Sequence, residues 1–207
     1  MPCVAPVTTQ TLPFILPDIL SLAAGWYMKG LTRFALLAVL ASATAVMSAA
    51  AGSPSKPPDF THKSPSDWIN SDPLTLAQLK GKVVVVEFWA FDCVNCVKSH
   101  PWVAALEHDQ SANGLVIVGV HTPELREERD PAKVRAAVEK FGIHYPVMID
   151  GDSSYWNALH ISVWPTWCLI GRDGLLQGCV PGELDVGDAR ATQVRSAIDM
   201  MVKAPAA

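Results

Sequence analysis

Residues 83–101 read VVVVEFWAFDCVNCVKSHP. Val83 to Trp89 is an unbroken run of β-branched and aromatic residues around one acid, the pattern of a strand buried on both faces of a sheet. Cys93 and Cys96 follow, two residues apart, and a helical segment runs from about Val94 to His108. If Cys93 starts that helix, its sulfur meets unpaired main-chain N–H groups and the positive end of the helix dipole. Both favour thiolate over thiol and lower a cysteine pKa from about 8.5. Cys96 then lies one turn deeper, placed to attack a mixed disulfide formed at Cys93. On this reading Cys93 is the attacking nucleophile and Cys96 the resolving thiol. The same spacing is half of a zinc site, which would need two further ligands. Cys168 and Cys179, with ten residues between them, do not make a second knuckle.

Working outward, LVIVGV (115–120) is a second buried strand and YPVMID (145–150) a third. Between them PAKVRAAVEKF (131–141) opens on Pro131 and places Val134, Val138 and Phe141 on one helical face. A short helix is expected around Tyr155–Leu159, and another in the stretch Leu74–Leu79 that Gly81 closes. TWCLI (166–170), a glycine-bounded turn and LLQGCV (175–180) read as a hairpin, and a last helix covers about Asp188–Val202. The order predicts an α/β domain: a central mixed sheet of parallel strands plus a C-terminal antiparallel hairpin, flanked by helices. Reactive groups in such sheets lie outside the carboxyl ends of the parallel strands, here just after residues 89, 120 and 150. A hairpin turn centred on Arg172 and Asp173 sets residue 168 opposite 177, with Cys179 one diagonal step away. Joining the two cysteines would need a bulge, so two buried free thiols are expected.

The whole chain has 207 residues, half of them apolar and 17% charged, as in an ordinary globular protein. A net charge of −4 gives no basic face for a phosphate backbone and argues against nucleic-acid binding. Residues 34–47, FALLAVLASATAVM, follow Lys29 and Arg33 and precede small residues that include Ala49 and Ala51. That is the layout of a secretory signal, too short for a spanning helix of roughly 20 residues. Residues 1–27 carry four prolines and no Lys or Arg, so Met28 reads as the true start. The expected organisation is a targeting segment over 1–51, a Pro/Ser-rich linker over 52–66 and one folded domain over 67–207. The expected location is periplasmic or otherwise exported, with a cleaved signal preferred over an N-terminal anchor.

VVEFWAFDCVNC, the Pro101 that follows, and Trp164-Pro165-Thr166 resemble the thioredoxin superfamily, most nearly the secreted TlpA/ResA/DsbE-like thiol–disulfide oxidoreductases. DWINSDPLTLAQLKGK, GVHTPE and YPVMIDGD are similar to the thioredoxin-like domain of DipZ-type and NHL-repeat proteins, so the resemblance covers about residues 67–184. It implies a thioredoxin fold with a helical insertion, the cysteine pair as active site, and Pro165 as a cis proline facing it. It also implies that Glu87, six residues before Cys93, is a buried acid exchanging a proton with Cys96. Trp164 would present main-chain groups to substrate, in a groove that Trp89, a neighbour of the thiols, would also line. His121, at the end of its strand, is a candidate for tuning the thiolate or the substrate groove, or else a hydrogen-bonded loop histidine. His100 reads as surface; Trp102, Trp156 and Trp167 read as core. The implied function is an exported oxidoreductase exchanging disulfides with protein substrates, with cytochrome c maturation as a setting. The relatives' membrane domain and NHL repeats are not in this sequence, so the expected electron donor is a separate membrane protein. No metal, haem or flavin cofactor is implied. The alternative is a thioredoxin-fold adaptor or haem/apoprotein chaperone with non-catalytic cysteines. Val94-Asn95 stands where thioredoxins have Gly-Pro, so the direction of electron flow does not carry over.

Overall fold

The computed structural model describes residues 54–205. The expected targeting segment over 1–51, with its start at Met28, lies outside the described residues. Among the described residues, no helix is long and apolar enough to cross a membrane.

Six strands, β1 (Trp68–Ile69), β2 (Val83–Trp89), β3 (Leu115–His121), β4 (Val147–Ile149), β5 (Thr166–Ile170) and β6 (Leu176–Pro181), form one sheet in the order β1-β4-β3-β2-β5-β6. The strands β2, β3 and β4 are parallel, while β1, β5 and β6 pair antiparallel to their neighbours. Among the described residues the α-helices are α1 (Val94–Gln110), α2 (Pro131–Lys140), α3 (Ser154–Ala158) and α4 (Ala189–Lys203). This is the thioredoxin fold, and α2 with β4 is the insertion between β3 and α3. The predicted order of elements holds, with β1 added at the sheet edge.

All seven residues of β2 are buried, because helices cover both faces of the sheet. Side chains alternate along the strand. Val83, Val85 and Trp89 pack with Cys93, Cys96, Trp102, Leu106 and Ile198 on one face. Val84, Val86 and Phe88 pack with Phe60, Met148, Tyr155 and Cys168 on the other. Glu87 therefore falls on the face that carries the cysteine pair. Pro101 lies inside α1, which continues past it to Gln110.

Three expectations change. The stretch Leu74–Leu79 is a run of turns, with Leu79 N donating to Leu76 O at 3.2 Å and Lys80 N to Ala77 O at 3.4 Å. Thr75 and Gln78 open the run as a capping box, with Thr75 N donating to Gln78 Oε1 at 2.7 Å and Gln78 N to Thr75 Oγ1 at 3.3 Å, but the turns that follow do not extend into a helix. The supposed linker is packed from Ser55 onward. Ser55 O accepts from Leu176 N at 2.8 Å, and the fully buried Phe60 ring meets Trp68 at 5.4 Å and Tyr155 at 5.2 Å. One aromatic residue outweighs the proline and serine around it.

The third change is the hairpin. The turn centres on Asp173, with Ile170 opposite Leu176, and the register shifts by one more residue between Leu169 and Ile170; together these set Cys168 opposite Cys179 instead of residue 177. Gly178, at φ 149°, supplies the backbone freedom beside that irregularity. The cysteines are joined, with Cα atoms 4.0 Å apart, so the expectation of free thiols is overturned. Cys168 is fully buried in an apolar cluster. A thiolate leaving on that sulfur would be poorly solvated, which slows exchange. The bond therefore acts as a staple across the edge of the sheet. Replacing the pair (Cys168→Ala with Cys179→Ser) is expected to lower stability by about 3 kcal/mol, the chain-entropy value for a loop of this size. Urea unfolding checks this, and an unchanged midpoint would count against the staple.

Candidate active site

Past the end of β2 the chain turns through Ala90–Asp92, with Cys93 N donating to Ala90 O at 3.4 Å. Cys93 is the N-cap of α1, at φ −75° and ψ 107°, and its Sγ accepts a hydrogen bond from Cys96 N at 3.3 Å. The two cysteines form a disulfide with Cα atoms 5.3 Å apart. Cys93 keeps 8% of its surface and Cys96 none, so an incoming sulfur can reach only the first. Once the bond is reduced, the helix N–H groups stabilise negative charge on Cys93, while Cys96 lies in apolar packing. Position thus makes the two thiols unequal.

The opposite wall of the site comes from the start of β5. Trp164–Pro165 is a cis peptide bond. Trp164 Nε1 donates to Thr122 O at 3.0 Å, and the ring stacks on Trp156 at 4.1 Å. Cys93, Val94, Asn95, Glu124, Val163 and Trp164 line one groove. Val94 and Val163 are exposed at 68% and 42%, an apolar rim beside the reactive sulfur.

Glu87 has no exposed surface. Its Oε2 accepts from the Tyr145 hydroxyl at 2.7 Å, while Oε1 has no partner among the described residues. Burial pushes its pKa up to about 7, and the Tyr145 hydrogen bond pulls weakly the other way. Burial and the nearby Glu87 carboxylate hold Tyr145 well above the usual phenol range, so it stays a donor. Gly119, paired with Glu87 across β2 and β3, makes room for this contact. A Cβ there would meet Trp89 Nε1 and Tyr145 Cε2 at 3.1 Å and Val147 Cγ2 at 3.2 Å. Gly119→Ala is expected to cost about 2 kcal/mol through overpacking. Thermal unfolding measures it; an unaltered Tm would mean that these neighbours yield freely.

Two of the predicted groove residues are elsewhere. Trp89 and His121 have no exposed surface, and of the three only Trp164 lines the groove. The cause is register: Trp89 pairs with His121 across β2 and β3, and their rings meet edge to face at 5.0 Å. Phe91 stacks on the other side of His121 at 5.4 Å. Burial drives the His121 pKa down to about 4, so the ring is neutral at physiological pH. His100 is half-buried rather than on the surface, between Trp89 at 5.6 Å and Phe141 at 4.9 Å. Trp102, Trp156 and Trp167 are core, as expected.

One residue of the site was not anticipated. Glu128 is fully buried and accepts hydrogen bonds from Asp92 N at 2.9 Å and from Glu124 N and Leu125 N, each at 2.7 Å. It stands in the charged run REER (126–129), and no periodicity singles it out from its exposed neighbours. A second polar group joins His62, Asp150 and Asp152, whose ligand atoms lie within 4.8 Å of one another. The Asp150 carboxylate is already engaged, accepting from Tyr155 N, Trp156 N and the Thr122 hydroxyl, each at 3.0 Å. It caps α3.

Comparison with known proteins bears on this geometry. The model of the Redoxin family matches residues 37–185. Protein DipZ of Mycobacterium tuberculosis is 34% identical over 129 residues, which cover 61% of this chain and 18% of DipZ. Thiol-disulfide oxidoreductase ResA of Bacillus subtilis is 30% identical over 115 residues, 56% of this chain and 62% of ResA. The chain therefore spans less than a fifth of DipZ and under two thirds of ResA. The crystal structure of a thioredoxin-like superfamily protein superposes with a TM-score of 0.64 at 25% identity, covering 74% of this chain and 99% of that one.

Proposed function

This chain belongs to the Redoxin family, within the thioredoxin superfamily, and from that premise we propose that it is an exported protein thiol–disulfide oxidoreductase working through Cys93 and Cys96. One observation carries the reading. The Sγ of Cys93 sits at the N-cap of α1, bonded to a fully buried Cys96 one turn in and opening on the groove that Trp164 borders.

In the reductive direction the Cys93 thiolate attacks one sulfur of a protein disulfide. The substrate S–S bond breaks, and the departing substrate thiolate takes a proton from water. Cys96 then loses its proton to the Glu87 carboxylate, and its sulfur attacks Cys93 Sγ. The mixed disulfide breaks, and the second substrate sulfur leaves as a thiolate that takes a proton from water. Glu87 returns its proton to solvent, and the enzyme is left oxidised by two electrons. Pro165 and the Trp164 main chain shape the substrate side of the groove. A separate membrane donor restores the dithiol. Reversal of the same steps would oxidise a client, and the reduction potential of the pair sets the direction. Client reduction in cytochrome c maturation is the setting that the resemblance suggests.

Export is supported by the apolar run at 34–47 and by the Cys168–Cys179 staple, since such bonds persist in oxidising compartments. A trapping experiment tests the chemistry. Cys96→Ser, mixed with a disulfide-containing protein, is expected to accumulate a covalent adduct at Cys93 that dithiothreitol releases. Absence of any adduct, with full cellular activity in Cys93→Ser, would favour the adaptor reading.

A further inference from the structure

We propose that Glu128 is a positioning residue for this exchange: its carboxylate ties the turn carrying Cys93 to the loop after β3, which contributes Glu124 to the same groove. The inference rests on the oxidoreductase reading. Its neighbours Arg126, Glu127 and Arg129 are exposed, and Glu128 alone turns inward. A buried carboxylate is costly unless hydrogen-bonded, and this one meets three main-chain donors. Asp92, the first donor, immediately precedes the nucleophile. Glu124 and Leu125, the others, follow β3, and Glu124 lines the same groove as Cys93. The turn's own closing bond, Cys93 N to Ala90 O, is long at 3.4 Å. The tie to Glu128 at 2.9 Å is therefore the shorter restraint on the residue beside the sulfur.

The side chain's chemistry fits the task. A carboxylate only accepts, and it does so through two oxygens. Glutamine offers one oxygen and turns an NH₂ group against a main-chain N–H. Aspartate keeps the charge but is a methylene too short to span both loops. Asp92 and Glu124 are the charged residues lining the groove beside Cys93, and both remain in either variant.

The test uses Glu128→Gln and Glu128→Asp in the full chain. Reduction of a peptide disulfide is expected to slow about tenfold in both, as for a buried donor left without its partner. The pH midpoint for alkylation of Cys93 by iodoacetamide should move upward in both, toward that of free cysteine, because the sulfur loses its fixed place at the helix start. A charge effect alone would move it downward in the glutamine variant and leave the aspartate variant unchanged, and that pattern overturns the proposal. So do parental rates and midpoints in two folded variants. Should the variants not fold, amide exchange in the parent protein decides: Asp92, Glu124 and Leu125 are expected to be protected together, and exchange at open-loop rates refutes the tie. Amide exchange reads the tie whether or not Cys93 is redox-active, so its failure and that of the enzymatic reading are separable.

Discussion

Replacing Cys93 with serine is expected to slow reduction of a protein disulfide on the order of a thousandfold or more, because the step loses its covalent nucleophile. A hydroxyl at the same N-cap position ionises far too weakly to substitute for a thiolate. The loss should be chemical and not structural. Serine is a good N-cap, so α1 keeps its first turn. The Cys93–Cys96 bond closes a loop of four residues, so its loss costs the oxidised form about 2 kcal/mol by chain entropy and the reduced form that attacks substrate nothing. Stopped-flow kinetics on a fluorescent peptide disulfide, with circular dichroism as a control, measures both. A folded Cys93→Ser variant that retains the parental rate would contradict the assignment.

The second large effect belongs to Glu87. Glu87→Gln is expected to slow resolution of the mixed disulfide about a hundredfold near neutral pH, the usual scale for losing a placed proton acceptor. In the parent, the rate should rise with pH through about 7, as the carboxylate ionises and can take the Cys96 proton. In the variant that inflection disappears.

Stability should change as well, in the opposite sense. The folded chain keeps Glu87 protonated up to about 7, whereas the unfolded chain ionises it near 4.5. Between those values the folded state holds the extra proton, so stability falls as pH rises. The shift corresponds to roughly 3 kcal/mol lost on the alkaline side, an upper estimate. His121 works the other way: held neutral down to about 4 against an ordinary 6.5, it removes stability as pH falls through that interval. Glu87→Gln removes the first dependence and leaves the second. Its stability is expected to climb from pH 4 to 6.5 and then level off, above the parent by up to about 3 kcal/mol at alkaline pH. Urea unfolding across pH measures this. A variant that tracks the parent at every pH would mean that Glu87 is not protonated in the folded state. Slower chemistry together with a firmer fold marks a residue retained for function.

Much of this was legible because burial on both faces writes itself into composition. The run 83–89 could hardly be anything but a central strand, and the cysteine pair after it falls where parallel strands deliver reactive groups. What escaped depends on contacts without a sequence period. β1 is two residues long and pairs only at the sheet edge. Phe60 was hidden among prolines and serines. The turn centre and the bulge that together bring Cys168 opposite Cys179 shift the register by two residues, which no hydrophobic pattern reports. Position after a strand correctly placed His121 near the reactive end of the sheet, but the pairing with Trp89 decided that both rings point into the core. Glu128 looks like any charge in a solvated turn until the loops fold over it.

The most direct test of the whole account is a redox titration of the parent protein in glutathione buffers, read by mass after alkylation. Cys93 and Cys96 are expected to gain and lose two alkyl groups together and reversibly, while Cys168 and Cys179 stay joined throughout. If the reversible couple instead maps to Cys168 and Cys179, or no two-electron transition occurs at Cys93 and Cys96, the pair at the helix start is not the redox centre.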